Sequence, residues 1–223
     1  MHIIAHIHTD FPSKFGIPRQ SGLVSSLQGK IVFEPMYRNP EAVRGLDGFS
    51  HIWILWKFSE SHKDRWSATV KPPRLGGKKR MGVFATRSPF RPNDIGLSSV
   101  RLEKGEFDEE LGPVLFVSGA DLLDGTPIYD IKPYIPFTDC HPDAAEGYTS
   151  ETKVHELQVV FPEELLNLYP EEKREAVTGI LAQDPRPTYF QAPDRVYGVP
   201  FAGYDVKFRV DGDVLTVCDV VKL

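Results

Sequence analysis

The chain has 223 residues, of which 41% are hydrophobic, and its formal net charge is −5 at pH 7. This length allows one large domain or two modest ones with a real core. The acidic balance argues against a protein that coats nucleic acid without specificity, since such affinity comes from neutralising phosphates with Lys and Arg. No apolar run approaches the ~20 residues of a membrane helix and no signal-peptide pattern opens the chain, so we expect a cytoplasmic protein with no membrane partner.

The first half of the chain is typical of short strands separated by glycine and proline. Strands are predicted at residues 2–8, 29–33, 50–58, 81–86, 97–104 and 114–118. Between the second and third of these, Asn39-Pro40-Glu41 predicts a helix start, with Gly45 as its stop. Many short strands with little helix favour a sheet that closes on itself or packs on a second sheet.

The second half changes character after about residue 144. A strand is expected at residues 154–161, and the acidic residues after Pro162 and Pro170 predict two helix starts. Asp211-Gly212 predicts a two-residue hairpin between two final strands. We therefore predict two domains, residues 1–143 and a small α/β domain over residues 144–223.

A basic segment lies within this acidic chain. Between residues 71 and 91 there is no Asp or Glu, whereas seven cations occur, namely Lys71, Arg74, Lys78, Lys79, Arg80, Arg87 and Arg91. Such a segment could guide an anionic substrate, or it could be an ordinary solvated loop. Because the segment lies directly before an arginine-rich motif, RNA is favoured as that anionic substrate.

Two segments concentrate Arg, Asp, Asn, Gly and Pro beyond what a packed core requires. They are GVFATRSPFRPNDIGLSSVRL, residues 82–102, and GADLLDGTPIYDIKPYIPFTD, residues 119–139. Over more than forty positions these segments resemble the motifs of the TrmO-like tRNA adenine methyltransferases, and matching features extend over most of the chain. One departure is Asp94, which stands where the family usually has proline and places a negative charge near Arg91.

The resemblance implies a fold and an activity. The expected fold is mainly β, with an N-terminal single-sheet closed β-barrel that binds S-adenosylmethionine and a small C-terminal α/β domain used for tRNA recognition or dimer contact. The implied reaction is methylation of the exocyclic amine of threonylcarbamoyladenosine next to the anticodon. The partners implied are the tRNA anticodon stem-loop and a second copy of the chain.

The resemblance also implies which residues bind the donor. By position in the family pattern these are Ser21, Gly22, Leu23, His62, Lys63, Arg91, Arg101, Tyr129, Asp130, Ile131 and Lys132. Arg91 would present its planar fork to the donor's carboxylate, and Asp130 would accept from the ribose hydroxyls.

A third motif, residues 184–189, supplies the candidate catalytic residues. Asp184 would position the substrate or remove a proton, Arg186 would bind a phosphate or the threonyl carboxylate, and Tyr134 or Tyr189 would stack on a base. The alternative is that this motif is only a turn after a helix.

Two other classes of function stay open at this point. Asp121, Asp124, Asp130 and Asp139 could hold magnesium or manganese in a phosphohydrolase. A non-catalytic barrel that binds RNA or a nucleotide is the other alternative. His6 and His8 share one strand face, but without a third ligand at a recognisable spacing they predict an ordinary strand face rather than a metal site.

Overall fold

The computed structural model describes residues 1–61, 66–72, 75, 79–152, 156–187 and 195–223. Within them, six strands form a closed barrel in the order β1-β2-β7-β6-β3-β8. Their bounds are β1 Ala5–Thr9, β2 Gln28–Phe33, β3 His51–Lys57, β6 Ile95–Asp108, β7 Gly112–Ser118 and β8 Thr126–Pro133. All six barrel pairings are antiparallel. The predicted closed barrel is confirmed.

The barrel closes around the inward-facing residues of alternating strands. In β3 the pattern is regular, because Ile52, Ile54 and Trp56 are buried while the residues between them are partly exposed. Gly96 of β6 lies opposite Trp56, and a Cβ at that position would fall 2.2 Å from the indole ring. Only glycine therefore allows the tryptophan to lie flat across β6.

Short elements connect and flank the barrel strands. A two-stranded ribbon pairs β4, Thr69–Val70, with β5, Met81–Gly82. The predicted strand at 81–86 is thus wrong in extent, since a 3-10 helix, Val83–Ala85, follows Gly82. Asn39 does cap a helical turn, because its side chain accepts from the N–H of Glu41, but that turn is a short 3-10 helix, Pro40–Val43.

The C-terminal part is a second sheet covered by helices. Its strands have the order β10-β11-β12-β9, with β9 parallel to β12. The bounds are β9 Gln158–Val160, β10 Tyr197–Phe201, β11 Tyr204–Asp211 and β12 Val214–Lys222, and the helices are α2 Glu163–Leu166 and α3 Glu171–Ala182. A further short helix, α1 Pro136–Asp139, follows β8 and has no buried residue. The predicted hairpin at Asp211-Gly212 and the helix starts after Pro162 and Pro170 are confirmed.

The connection between β1 and β2 belongs to the core of the C-terminal sheet. Phe11, Val24 and Leu27 are buried in the same apolar cluster as α3 and β10. Asp10 also pairs with Lys173 of α3, at 2.6 Å between carboxylate oxygen and Nζ. The two parts therefore share a hydrophobic core, and a division at residues 143 and 144 stays a prediction.

Candidate functional site

The loops at one end of the barrel contact one another directly. The N–H of Gly22, in the β1–β2 connection, donates to the carbonyl of Gly119 after β7 at 2.9 Å, and the N–H of Gly119 donates to Leu27 at 2.7 Å. Both glycines have left-handed φ, +79° and +75°, which other residues rarely adopt. Gly22 is exposed and a Cβ there would meet nothing within 4 Å, so its backbone is open to a ligand.

Asp121 connects three parts of this barrel end. Its carboxylate accepts from the Ser98 hydroxyl at 2.7 Å, and the same hydroxyl accepts from Nε1 of Trp56 at 3.0 Å. Burial raises the pKa of Asp121, against the lowering effects of the Ser98 hydrogen bond, the Arg87 charge and the backbone N–H of Ser21. This carboxylate therefore fixes the position of β6 relative to the part of the β1–β2 connection that contains Ser21.

Arg91 stabilises its own loop through one nitrogen. Nη1 donates to the carbonyls of Val83 and Thr86 at 3.1 and 2.7 Å, and the guanidinium carbon lies 5.6 Å from the ring centre of Phe84. Among the contacts of the described residues, Nε and Nη2 have no partner. Asp94, the residue in place of proline, accepts from the N–H of Phe58 through its backbone carbonyl at 2.9 Å, which ties this loop to the end of β3.

Three predicted donor residues lie on the outer face of β8 and β6, the two strands that pair with β3. Asp130 is paired opposite Leu55, Lys132 opposite Trp53, and Arg101 opposite His51. Asp130 and Lys132 form an ion pair at 2.9 Å, and the Asp130 side chain also accepts from the N–H of Ile131. Arg101 contacts the carboxylate of Glu103 at 3.3 Å.

Tyr129 is the extra residue of a β-bulge. The register of β8 against β3 shifts there, since Leu55 pairs with Asp130 and Trp56 with Ile128, leaving Tyr129 between them. Bulges redirect side chains and are frequent beside functional sites. The bulge thus separates the buried start of β8 from its partly exposed end.

Tyr134 continues this outer face. Its N–H donates to the carbonyl of His51, and its ring centre lies 5.6 Å from that of Trp53. Nε1 of Trp53 donates to Asp139 at 2.9 Å, and the N–H of Ile135 donates to the same oxygen. These two hydrogen bonds, with that from Ile135 the stronger influence, lower the pKa of Asp139.

Asp184 and Arg186 lie elsewhere, after α3, and contact each other. Nε and Nη2 of Arg186 donate to the two carboxylate oxygens of Asp184 at 2.7 and 2.9 Å. The Arg186 side chain is only 10% exposed, and this pairing raises its pKa. Both residues line a cavity of about 150 Å³ together with residues 14–19 of the β1–β2 connection. Among the described residues, no contact joins either of them to Tyr134.

Three predicted residues lie outside the described residues, namely His62, Lys63 and Tyr189. The remaining predicted residues at the barrel end are Ser21 and Leu23, which flank Gly22, and both are partly buried. A hydrogen bond links the barrel end to residues near the cavity. The Arg87 guanidinium donates to the side-chain oxygen of Gln20, which is next to Arg19 in the cavity lining.

The four aspartates proposed as metal ligands do not share one site. Asp124 accepts from the N–H of Thr9 and pairs with His8, whereas Asp121, Asp130 and Asp139 have the separate partners given above. Across the described ranges, no group of three or more His, Cys, Asp or Glu side chains is placed to hold a metal ion. This geometry gives the phosphohydrolase alternative no support.

The contact network of Asp121 was missed by sequence reasoning, which placed that residue in a turn or a metal site. Ser98 gave no signal of its own, since a single serine in a strand is ordinary. Alternation was the available signal: Ser98 falls at an inward position of β6, between buried Gly96 and Val100. A polar residue at an inward position requires a buried partner.

Comparison with known proteins agrees with the resemblance. Residues 6–140 match the model of the tRNA-methyltransferase O N-terminal domain, and residues 154–223 match that of the TrmO C-terminal domain. The chain belongs to the TrmO family. The tRNA (adenine(37)-N6)-methyltransferase of Escherichia coli K12 is 42% identical, over 93% of this chain and 91% of that protein.

Two further relatives from Pseudomonas aeruginosa cover nearly the whole chain. One is named "Putative S-adenosylmethionine-dependent methyltransferase RcsF" and is 39% identical over 97% of this chain and 95% of its own length. The other is a crystal structure of TrmO that is 35% identical, with a TM-score of 0.80, and covers 100% of this chain and 98% of its own. Among the helices of the described residues, none has the length and apolar character needed to cross a membrane.

Proposed function

We propose that this TrmO-family chain is an S-adenosylmethionine-dependent tRNA methyltransferase. The target would be the exocyclic N6 of the adenosine next to the anticodon, in its threonylcarbamoyl-modified form. The observation that carries the proposal is the meeting of the two motif segments at one barrel end, where Ser98 donates to Asp121, beside the β1–β2 connection whose Gly22 contacts Gly119. The relative from Escherichia coli, which is named for this adenine position, supports it.

The predicted donor residues at the barrel end and on its outer face suit the polar groups of the donor. Two guanidinium nitrogens of Arg91, Nε and Nη2, have no partner among the described residues, and forked binding of a carboxylate requires two such nitrogens. The Asp130 carboxylate is 45% exposed and retains acceptor capacity for ribose hydroxyls. We propose that Ser21, Gly22 and Leu23 contact the donor through the backbone, and that His62, Lys63, Arg101, Tyr129, Ile131 and Lys132 complete the site.

The donor supplies an electrophilic methyl group on a sulfonium. In the proposed transfer, the adenine nitrogen forms a bond to the methyl carbon while the carbon–sulfur bond breaks, and the nitrogen gives up its proton. The protein's contribution would be in-line positioning, because this nitrogen is a poor nucleophile whose lone pair is delocalised. A nearby base would take the proton, and Asp184 is our candidate.

We propose that Asp184 and Arg186 contact the substrate together, as an ion pair. Tyr134 would stack on a base of the tRNA. Among the described residues, no contact joins Asp184 or Arg186 to Tyr134. We therefore propose a homodimer, in which the two copies would bring these side chains together. The outer barrel face has apolar residues available for a second copy, including Leu97, which is 51% exposed. We place the dimer in the cytoplasm, where its tRNA substrate would be found.

The experiment that tests this function is nucleoside mass spectrometry of tRNA incubated with the protein and S-adenosylmethionine. The tRNA would come from cells that lack the native activity. We expect a methyl gain on threonylcarbamoyladenosine, and Arg91→Ala should weaken donor binding by about 10- to 100-fold, the value of a charge-assisted bond pair.

The control is Arg91→Lys, which retains the charge but not the planar fork, and should fall between the wild type and Arg91→Ala. Calorimetric titration with S-adenosylmethionine gives the donor affinity directly. Donor binding without a methyl gain on any nucleoside would replace the enzyme with a binding module.

A further inference from the structure

Two large aromatic side chains are exposed side by side next to the ribbon of β4 and β5, since Trp66 precedes β4 and Phe84 lies in the 3-10 helix Val83–Ala85 after β5. Trp66 is 54% exposed and Phe84 is 70% exposed. Their ring centres lie 6.2 Å apart with an interplanar angle of 28°, which is a stacked arrangement. Paired aromatic rings left open to water on a surface are typical of a binding site rather than of a folding requirement.

The ribbon holds this pair in place. The N–H of Val83 donates to the carbonyl of Ala68 at 2.9 Å, extending the pairing of β4 and β5 toward both aromatic residues. Nε of Arg80 donates to the Thr69 hydroxyl at 2.6 Å and so crosses from one strand to the other. The rings are therefore positioned by backbone pairing rather than by burial in a core.

The described residues on the ribbon side of the pair carry positive charge. Lys71, Lys79 and Arg80 are exposed on or beside the ribbon, and no acidic residue occurs between residues 71 and 91. The Arg91 guanidinium lies 5.6 Å from the Phe84 ring centre, as a cation over the ring. Exposed aromatic faces within a cationic surface are the combination with which proteins bind unpaired nucleotides, since the rings stack on bases and the cations contact phosphates.

We propose that Trp66 and Phe84 form a stacking platform for an unpaired base of the RNA substrate, next to the donor loop that contains Arg91. This inference rests on the proposed function, because it assigns the tRNA loop to a particular surface. A double-helical RNA stem would not bind to this platform, since its bases are already stacked on one another and only the edges of the bases face the grooves. The alternative occupant of an aromatic surface is a second copy of this chain.

The test measures binding of an RNA hairpin with an unpaired adenine-containing loop, and of a blunt RNA duplex of equal charge, to the full chain without methyl donor. Trp66→Ala should weaken hairpin binding by about five- to 100-fold and leave duplex binding unchanged. Phe84→Tyr, which retains the ring, should bind the hairpin as the wild type does. Phe137→Ala is the matched control, because Phe137 is 91% exposed and lies on α1.

Three results would overturn the proposal. One is hairpin binding by Trp66→Ala that equals the wild type, and another is an equal loss for hairpin and duplex, which would indicate a general charge effect. The third is a change in oligomeric state of Trp66→Ala by sedimentation velocity, which would assign the surface to a contact between copies. Since no methyl transfer is measured, failure here is distinguishable from failure of the proposed activity.

Discussion

The barrel end and the cavity after α3 both contain arginines predicted to bind anions, yet they differ in what those arginines already contact. Arg186 uses its fork on both carboxylate oxygens of Asp184 and is 10% exposed. Arg91 uses one nitrogen on two carbonyls and keeps the others without a partner among the described residues. Among the described residues, Arg91 thus keeps N–H groups for a further partner, whereas the fork of Arg186 is already used within the protein.

The largest effect that tests this comparison is expected from Asp184→Asn. If the carboxylate removes the substrate proton, methyl transfer should fall by about 10²- to 10⁴-fold, and this fall should persist across the pH range. The measurement is kcat against pH on saturating tRNA. A variant with the wild-type rate and profile would remove the base role and leave Asp184 as a positioning partner of Arg186.

A smaller effect on folding distinguishes Asp121 from Asp139. The pKa of Asp121 is raised above its ordinary 3.8, so its folded form holds the proton more strongly and stability falls as pH rises from 3.8 through the folded value. In Asp121→Asn this side chain no longer ionises, so the loss of stability with rising pH is removed. The variant's free energy of unfolding, relative to wild type, should therefore rise as pH rises above about 4, until the wild-type carboxyl is fully ionised.

Asp139→Asn is the control, with the opposite sign. Because the pKa of Asp139 is lowered, its stabilisation is present above the ordinary value of 3.8 and is lost as pH falls through the folded value. The variant should therefore be less stable than the wild type at neutral pH, and the difference should shrink in acid. Urea denaturation at several pH values measures both, and parallel curves for the two variants would contradict the assignment.

The smallest effect is expected for Arg101→Ala. Arg101 and Glu103 are 61% and 44% exposed, and surface ion pairs of this kind contribute about 0–1 kcal/mol. Thermal unfolding should therefore be nearly unchanged. Calorimetric titration of the same variant with S-adenosylmethionine then shows whether Arg101 belongs to the donor site, since unaltered donor affinity would remove it from the proposed set.

Local patterns were sufficient for several elements. The cap at Asn39, the hairpin at Asp211-Gly212 and the helix starts after Pro162 and Pro170 were predictable because each depends on residues adjacent in sequence. The segment 81–86 was predicted as one strand, yet it turns into a 3-10 helix whose carbonyls at Val83 and Thr86 face Arg91. The Arg91 side chain that bonds these carbonyls lies five to eight residues away, and strand propensity does not report such a contact.

The sequence by itself determined the family resemblance and the segments that carry the polar residues, because motif spacing is a local property of the chain. Alternation indicated only a sheet that closes or packs on a second sheet, and the closed barrel was implied by the resemblance. Only the tertiary structure decided which of those residues meet. It joined Asp121 to Ser98, closed Arg186 onto Asp184, and placed the β1–β2 connection in the core beneath α3. The physical reason is that burial and hydrogen-bond partners depend on strand order and register, which bring together residues far apart in sequence.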